Sequence, residues 1–197
     1  AKVLHNRCVE MARRYNVKLV VKSSMSEAEG TVVKESTNME KMLISGVATD
    51  KNIAKITVAG MKDDPESTFR LLNLLAKHGM NIDVMIQSLE KDGTKTLTFT
   101  IARPDMLMAA ELLKQHSDVR GTVNISWEED VAKVSVVCAG VSSNPGVAAK
   151  MFEALSGAGI NTDMITTSEI RITAVIAENE AEAAMRAVHD RFAAEWE

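Results

Sequence analysis

The chain is poor in the residues that many functions need. Only two cysteines, Cys8 and Cys138, occur among 197 residues, in separate segments and without CxxC spacing. That pattern points to reduced thiols and away from a disulfide. Aromatic residues make up 4% and the net charge is −4, so the stacking residues and basic face of an RNA-binding sheet are both missing. The four histidines, His5, His78, His116 and His189, have no partner at i, i+4, and no metal site is expected. No apolar run approaches the roughly 18 residues of a membrane-spanning helix. The start has no signal-peptide layout, so a cytoplasmic chain with no membrane partner is expected. There is no Walker-type phosphate loop. Gly157-Ala158-Gly159 lacks the third glycine of a dinucleotide fingerprint and closes a helix instead of opening one.

What the chain does have is an internal repeat, the feature to seek before any other. Residues 56–88 are a degenerate copy of 134–169, and a shift of 80 matches Ala59 with Ala139, Gly60 with Gly140, Pro65 with Pro145, Leu75 with Leu155, Gly79 with Gly159, Asn81 with Asn161, Asp83 with Asp163 and Ser88 with Ser168. Most of these matches are turn and cap chemistry, not core filler. With 46% hydrophobic and 25% charged residues, the composition is that of a globular chain able to bury a core without staples. The twelve methionines, with Met106, Met108, Met151 and Met164 at helical or strand spacing, are expected to fill core gaps.

Periodicity orders the elements. Residues 3–15 space apolar side chains for a helix stopping near Asn16, followed by strands at 17–21 and 31–33 and a loose polar stretch at 34–41. Residues 42–48 predict a strand in which Gly46 hints at a bulge. Residues 53–127 then predict β-α-β-β-α-β. Strand 54–60 leads into a helix opened by Asp64-Pro65 and ended by Gly79, with Leu71, Leu72, Leu74 and Leu75 as its stripe. Strand 82–89, a Lys91-Asp92-Gly93 hairpin, strand 94–102, a helix from Pro104 and strand 122–127 follow. The fold class is α+β: a four-stranded antiparallel sheet with two helices on one face, the ferredoxin-like arrangement. The second unit repeats the order with strand 133–139, a helix from Pro145, strands 160–168 and 170–177, and helix 179–195. It then ends without a fourth strand. An unfilled sheet edge leaves ladder groups unpaired, and strand 42–48 is the natural candidate to fill it. The expected domains are therefore 1–40, a first unit at 53–127, and a discontinuous second unit at 41–52 plus 128–197. The first unit is inserted into the second in sequence, and the two pack side by side.

Each unit sets a polar turn between its first strand and first helix: Lys62-Asp63-Asp64-Pro65, and Ser142-Ser143-Asn144-Pro145-Gly146. Unsatisfied N–H groups at a helix start suit a carboxylate. Each unit also carries Asn-x-Asp before its second strand, Asn81-Ile82-Asp83 and Asn161-Thr162-Asp163, where the acid could hold an ammonium group. Together these fit a free amino acid. The competing reading makes Asp64 and Asn144 helix caps and Asn81 and Asn161 turn residues. Recurrence of the same polar residues in both copies, while the helix faces have diverged, argues for the site.

The strings SGVATDKNIAKITVAG (45–60), NIDVMIQS (81–88), SNPGVAAKMFEAL (143–155) and GINTDMITTSEIRI (159–172) resemble tandem ACT domains, and more closely the regulatory region of aspartate kinase. Residues 1–40, with YNVKLVVKSSMSEAEGTVV (15–33), resemble the tail of that family's catalytic domain. The resemblance implies no catalytic residues and no bound cofactor or ATP on this chain. It implies lysine, threonine or both as feedback effectors, a catalytic subunit or domain as partner, and a homodimer formed through the ACT sheets. Carried over by position, the effector residues are Met61, Lys62, Asp63, Asp64 and Pro65 with Asn81, Ile82, Asp83 and Gln87. Their second-repeat counterparts are Ser142, Ser143, Asn144, Pro145 and Gly146 with Asn161, Thr162, Asp163, Ser168 and Glu169. Glu66-Ser67-Thr68-Phe69 departs from the family's glycine and small residues, which the second repeat keeps as Gly146-Val147-Ala148-Ala149. The alternatives are an amino-acid-sensing ACT protein acting on another enzyme, and an acylphosphatase-like hydrolase. The hydrolase needs an arginine in the first turn, and neither turn has one.

Overall fold

In the computed structural model, residues 4–26, 28–33, 44–115, 123–138 and 146–193 are described. The expected polar stretch at 34–41 and the turn residues Ser142, Ser143, Asn144 and Pro145 lie outside them. So do the first two residues of the strand expected at 42–48, Thr122 of the strand expected at 122–127, and the last two residues of the helix expected at 179–195.

Residues 1–41 form one compact unit. It contains helix α1 (Asn6–Arg14) and a two-stranded antiparallel sheet of β1 (Leu19–Val21) and β2 (Thr31–Val33). Asn16, the expected stop, adopts φ +51° just past the helix, a left-handed conformation that asparagine tolerates better than most residues.

Residues 42–197 form the second compact unit, which holds two ferredoxin-like halves. The first half comprises β4 (Ile53–Lys62), α2 (Pro65–Lys77), β5 (Met85–Leu89), β6 (Thr94–Ala102), α3 (Met106–Gln115) and β7 (Asn124–Glu128), with sheet order β5-β6-β4-β7. The second half comprises β8 (Val131–Cys138), α4 (Gly146–Gly157), β9 (Met164–Thr167), β10 (Arg171–Ala177) and α5 (Ala181–Ala193). Its sheet runs β3-β8-β10-β9. Strand β3 (Ile44–Asp50) lies antiparallel to β8, from Ile44 opposite Cys138 to Asp50 opposite Lys133, with its irregularity between Ile44 and Gly46. It therefore occupies the edge that β7 occupies in the first half.

Each half has its own core between sheet and helices. Ile56, Val58, Leu71, Leu75, Leu97, Phe99, Ile101 and Leu113 fill the first. Val134, Val136, Met151, Leu155, Ile172, Ala174, Val188 and Phe192 fill the second. A third cluster, Ile53, Val84, Val131, Met164 and Val175, joins the halves. Ile53 and Val131 alternate with the core residues Ala54 and Val134 along their strands, so the halves meet through the helix-free sides of their sheets. No linker intervenes: β7 ends at Glu128 and β8 begins at Val131.

Three expectations need correction. The second strands begin at Met85 and Met164, not at 82 and 160. Before them the chain is held by isolated backbone bonds: in the first half Asp83 N–H to the Thr100 carbonyl (3.2 Å) and Thr100 N–H to the Val84 carbonyl (2.9 Å), and in the second Asp163 N–H to the Val175 carbonyl (2.8 Å). In the first half the buried Thr100 hydroxyl also accepts from Val84 N–H, which takes the place of a regular ladder bond. Met108, expected in the core, is 53% exposed, because α3 turns Met106, Ala109, Ala110 and Leu113 inward. Finally, the shift between copies is 78 at the start of the first strands, where Ile53 and Val131 face Ala102 and Ala177, and 80 only by Gly79 and Gly159. A β-bulge between Val58 and Met61 lies in the intervening stretch of β4.

Candidate functional site

The turn after β4 is built by cap chemistry. Asp64 is the N-cap of α2: its Oδ1 accepts from Ser67 N–H at 2.6 Å and its Oδ2 from the Ser67 hydroxyl at 3.0 Å. These bonds, the backbone one foremost, hold the Asp64 carboxyl below the usual carboxylate range. Pro65 occupies the first helical position, where a missing N–H costs nothing. Lys95 Nζ reaches Asp63 Oδ1 (2.8 Å) and the Asp64 carbonyl (3.3 Å). Gln87 Oε1 accepts from the Thr68 hydroxyl (2.9 Å), tying β5 to α2. Met61 is buried and Lys62 exposed. Glu66 pairs with Arg70 along the helix at 2.6 Å, so its charge is directed away from the turn. One donor of the first turn of α2, the Ser67 N–H, is thus taken by Asp64.

The Asn-x-Asp segments sit elsewhere. Asp83 is hydrogen-bonded beside Thr100, which faces Lys55 near the start of β4, whereas the turn follows Lys62 at its end. Seven residues at about 3.3 Å each separate the two by roughly 20 Å along the sheet. Asn81–Asp83 and the turn therefore do not converge within one half. What the fold converges instead is Asn-x-Asp from both halves, at the contact between them. Asp83 accepts from Lys133 Nζ (2.5 Å) and from Arg171 Nη2 (3.1 Å), and Lys133 also reaches Asp50 (3.4 Å). Reciprocally, Lys55 Nζ binds Asp163 Oδ2 (2.7 Å) and Glu128 Oε1 (2.9 Å). Burial on its own would raise the Asp83 carboxyl, but the Lys133 ammonium, with Arg171 behind it, holds it below the ordinary range. For Lys55 burial likewise opposes the charged form, and Asp163 and Glu128 together hold the ammonium above the ordinary lysine value.

Asn81, Asn161 and their acids remain exposed at this contact, while Ile82 and Thr162 are half-buried, Ile82 against the first core. Ser168 closes a tight hairpin, its N–H and hydroxyl both donating to the Arg171 carbonyl (2.8 and 3.2 Å). Glu169, next in that hairpin, and Gly146, at the start of α4, are exposed. Among the described residues no three potential metal ligands cluster, and no helix is long and apolar enough to cross a membrane.

The expectations from the sequence omitted Lys55 and Lys133. A signal was present: IAKITV (53–58) and VAKVSV (131–136) repeat a lysine between apolar residues, but at a shift of 78 that an alignment at 80 hides. The structure matches the pair further. The Thr57 and Thr98 hydroxyls meet at 3.1 Å across β4 and β6, as Ser135 and Thr173 do at 2.8 Å across β8 and β10.

Two ferredoxin-like units of matching topology, joined at a charged contact, define a tandem ferredoxin-like module. The ACT domain family model matches residues 134–192. An aspartokinase of Mycolicibacterium smegmatis is 43% identical over 197 residues, covering 98% of this chain and 47% of the relative. The ligand-free regulatory subunit of aspartate kinase from Thermus thermophilus is 36% identical with a TM-score of 0.72, covering 76% of this chain and 99% of that one. A structure of aspartokinase alpha and beta subunits is 38% identical with a TM-score of 0.70, covering 76% of this chain and 99% of that one. The chain belongs to the aspartate kinase family, in its regulatory ACT-domain part. It spans about half the length of the curated relatives it matches.

Proposed function

We propose that this chain is the effector-sensing part of an aspartate kinase and works in the cytoplasm. It binds lysine, threonine or both where ACT domains meet, and so feedback-inhibits phosphorylation of aspartate by a catalytic domain or separate catalytic subunit. The chain contributes recognition and no catalytic group. The first ACT domain, residues 53–127, is inserted into the second, residues 41–52 plus 128–197, and residues 1–40 are the tail of the catalytic domain. Pairing of β3 with β8 supports the insertion.

The observation that carries this reading is the gathering of both Asn-x-Asp segments at one contact between the duplicated domains. A ligand held there is sensitive to their spacing, and differential affinity for two spacings is what allosteric coupling requires, typically about 1–3 kcal/mol. The turn at 61–65 lies roughly 20 Å from either Asn-x-Asp segment of its own chain. A site using both kinds of element takes the turn from one copy and Asn161–Asp163 or Asn81–Asp83 from a second, which makes the homodimer part of the site. Similarity to a protein described as alpha and beta subunits supports a catalytic partner.

Calorimetric titration of the full chain with lysine and with threonine tests this. Binding of at least one, weakened tenfold or more in Asn161→Ala and in Gln87→Ala with thermal midpoints preserved, is the expected result. Absence of binding by either amino acid would refute the effector assignment and favour a sensor of another metabolite.

A further inference from the structure

The contact between the two ACT domains follows the rule of a two-fold interface, in which residue i touches j and the copy of j touches the copy of i. Lys55 corresponds to Lys133 and Asp83 to Asp163, and the bonds made are Lys55 to Asp163 and Lys133 to Asp83. On the axis of such an interface a residue faces its own counterpart. That position is held by Arg103 and Glu178. Each follows the last residue of its strand, Ala102 or Ala177. Each donates its N–H to the matching loop carbonyl, Arg103 to Asn52 (3.2 Å) and Glu178 to Asp130 (2.9 Å). The two meet: Arg103 Nη2 lies 2.7 Å from Glu178 Oε2, with side chains 32% and 29% exposed. Arg103 also donates to the carbonyls of Glu129 (2.7 Å) and Ile53 (3.4 Å).

We propose that the Arg103–Glu178 pair sets partner choice, so that a first ACT domain accepts a second ACT domain and rejects another first. The off-axis clamps cannot make this choice. Two first domains would still form Lys55–Asp83 twice, and two second domains Lys133–Asp163 twice. On the axis the outcome differs, because two first domains would press guanidinium on guanidinium and two second domains carboxylate on carboxylate. A homodimeric ACT pair cannot carry opposite charges at its axis; a duplicated chain can. The flanking loops follow the same sign, with Glu129 and Asp130 on the side of Arg103, while Lys51 takes the place of Glu129 in the other copy. Like-charge contacts discriminate against wrong partners more strongly than an exposed ion pair stabilises the right one. A chain that presents two similar sheets, and meets second copies of itself, needs such a device.

The test is a double-mutant cycle on the full chain, followed by thermal unfolding in 50 mM and 1 M NaCl. Arg103→Glu and Glu178→Arg should each lower the midpoint by several degrees at low salt, and by more than the neutral Arg103→Gln and Glu178→Gln do. The double reversal should recover at least half of the summed loss, since the displaced guanidinium meets the corresponding carbonyls of Lys51 and Val131. In 1 M salt, where screening acts within about 3 Å, the reversal losses should shrink toward those of the glutamine variants. Additive losses in the double variant, or losses indifferent to salt, would overturn the proposal.

Discussion

Asp83 shows how one side chain is committed by its surroundings. In the sequence it is an exposed acid in an Asn-x-Asp turn, suited to an ammonium ligand. In the fold the chain supplies its own ammonium, Lys133, 9% exposed at 2.5 Å. Asp83→Asn should therefore cost stability as well as any binding role, about 1–2 kcal/mol, because Lys133 keeps only the longer contact to Asp50. Urea unfolding measures this, and a loss below about 0.5 kcal/mol would mean water satisfies Lys133 after all. The pH dependence has a definite sign. The native carboxyl of Asp83 is lowered, so its contribution is present above the unfolded value of about 3.9 and is lost as pH falls through the native one. Lys55 is raised, so its contribution is complete below about 10.4 and is lost as pH rises through the native value. Urea midpoints should vary little between these limits on account of these two groups and fall on either side. Asp83→Asn should flatten the acid limb and leave the alkaline limb unchanged.

At the level of elements, the local signals translated most directly. Gly79 and Gly159 end α2 and α4 in the same way: Gly79 N–H donates to Ala76 and Met80 N–H to Leu75, and Gly159 N–H donates to Ser156 and Ile160 N–H to Leu155. This double bond pattern needs a left-handed residue, and the two glycines adopt φ +73° and +71°. A Cβ at either would meet nothing within 4 Å. Alanine at each should thus cost only its backbone conformation, about 1–2 kcal/mol, with asparagine costing less. Equal losses for alanine and asparagine in thermal unfolding would point to another cause. Asp64-Pro65 and Lys91-Asp92-Gly93 were legible for the same reason, since caps and turns are decided within four residues. Strand starts at 85 and 164 were not. Whether residues 81–84 join a ladder depends on Thr100, which is distant in sequence and places its hydroxyl in the pairing position.

For the whole molecule, the decisive element is β3. Its place beside β8 gives the second half its fourth strand. A chain beginning at Lys51 should accordingly lose amide protection first in β8, β10 and α5, while β4 to β7 keep theirs. Hydrogen exchange would show it, and earlier loss in the first half would contradict the pairing. The charged contact between the halves was the least legible feature, because its partners come from residues 108 apart, Lys55 and Asp163, and 50 apart, Lys133 and Asp83.

Local chemistry written in the sequence determined that there are two similar βαββαβ units, where their helices begin and end, and which polar turns recur. Those features depend on backbone conformations and hydrogen bonds within a few residues, which composition and spacing encode directly. Only the tertiary structure decided that the turn and the Asn-x-Asp segment of the first unit lie at opposite ends of its sheet. It also decided that both acids are held by lysines of the other unit, and that Arg103 meets Glu178. Parallel placement of β4 and β5 on either side of β6 separates the first pair, and packing of two helix-free sheet faces creates the rest.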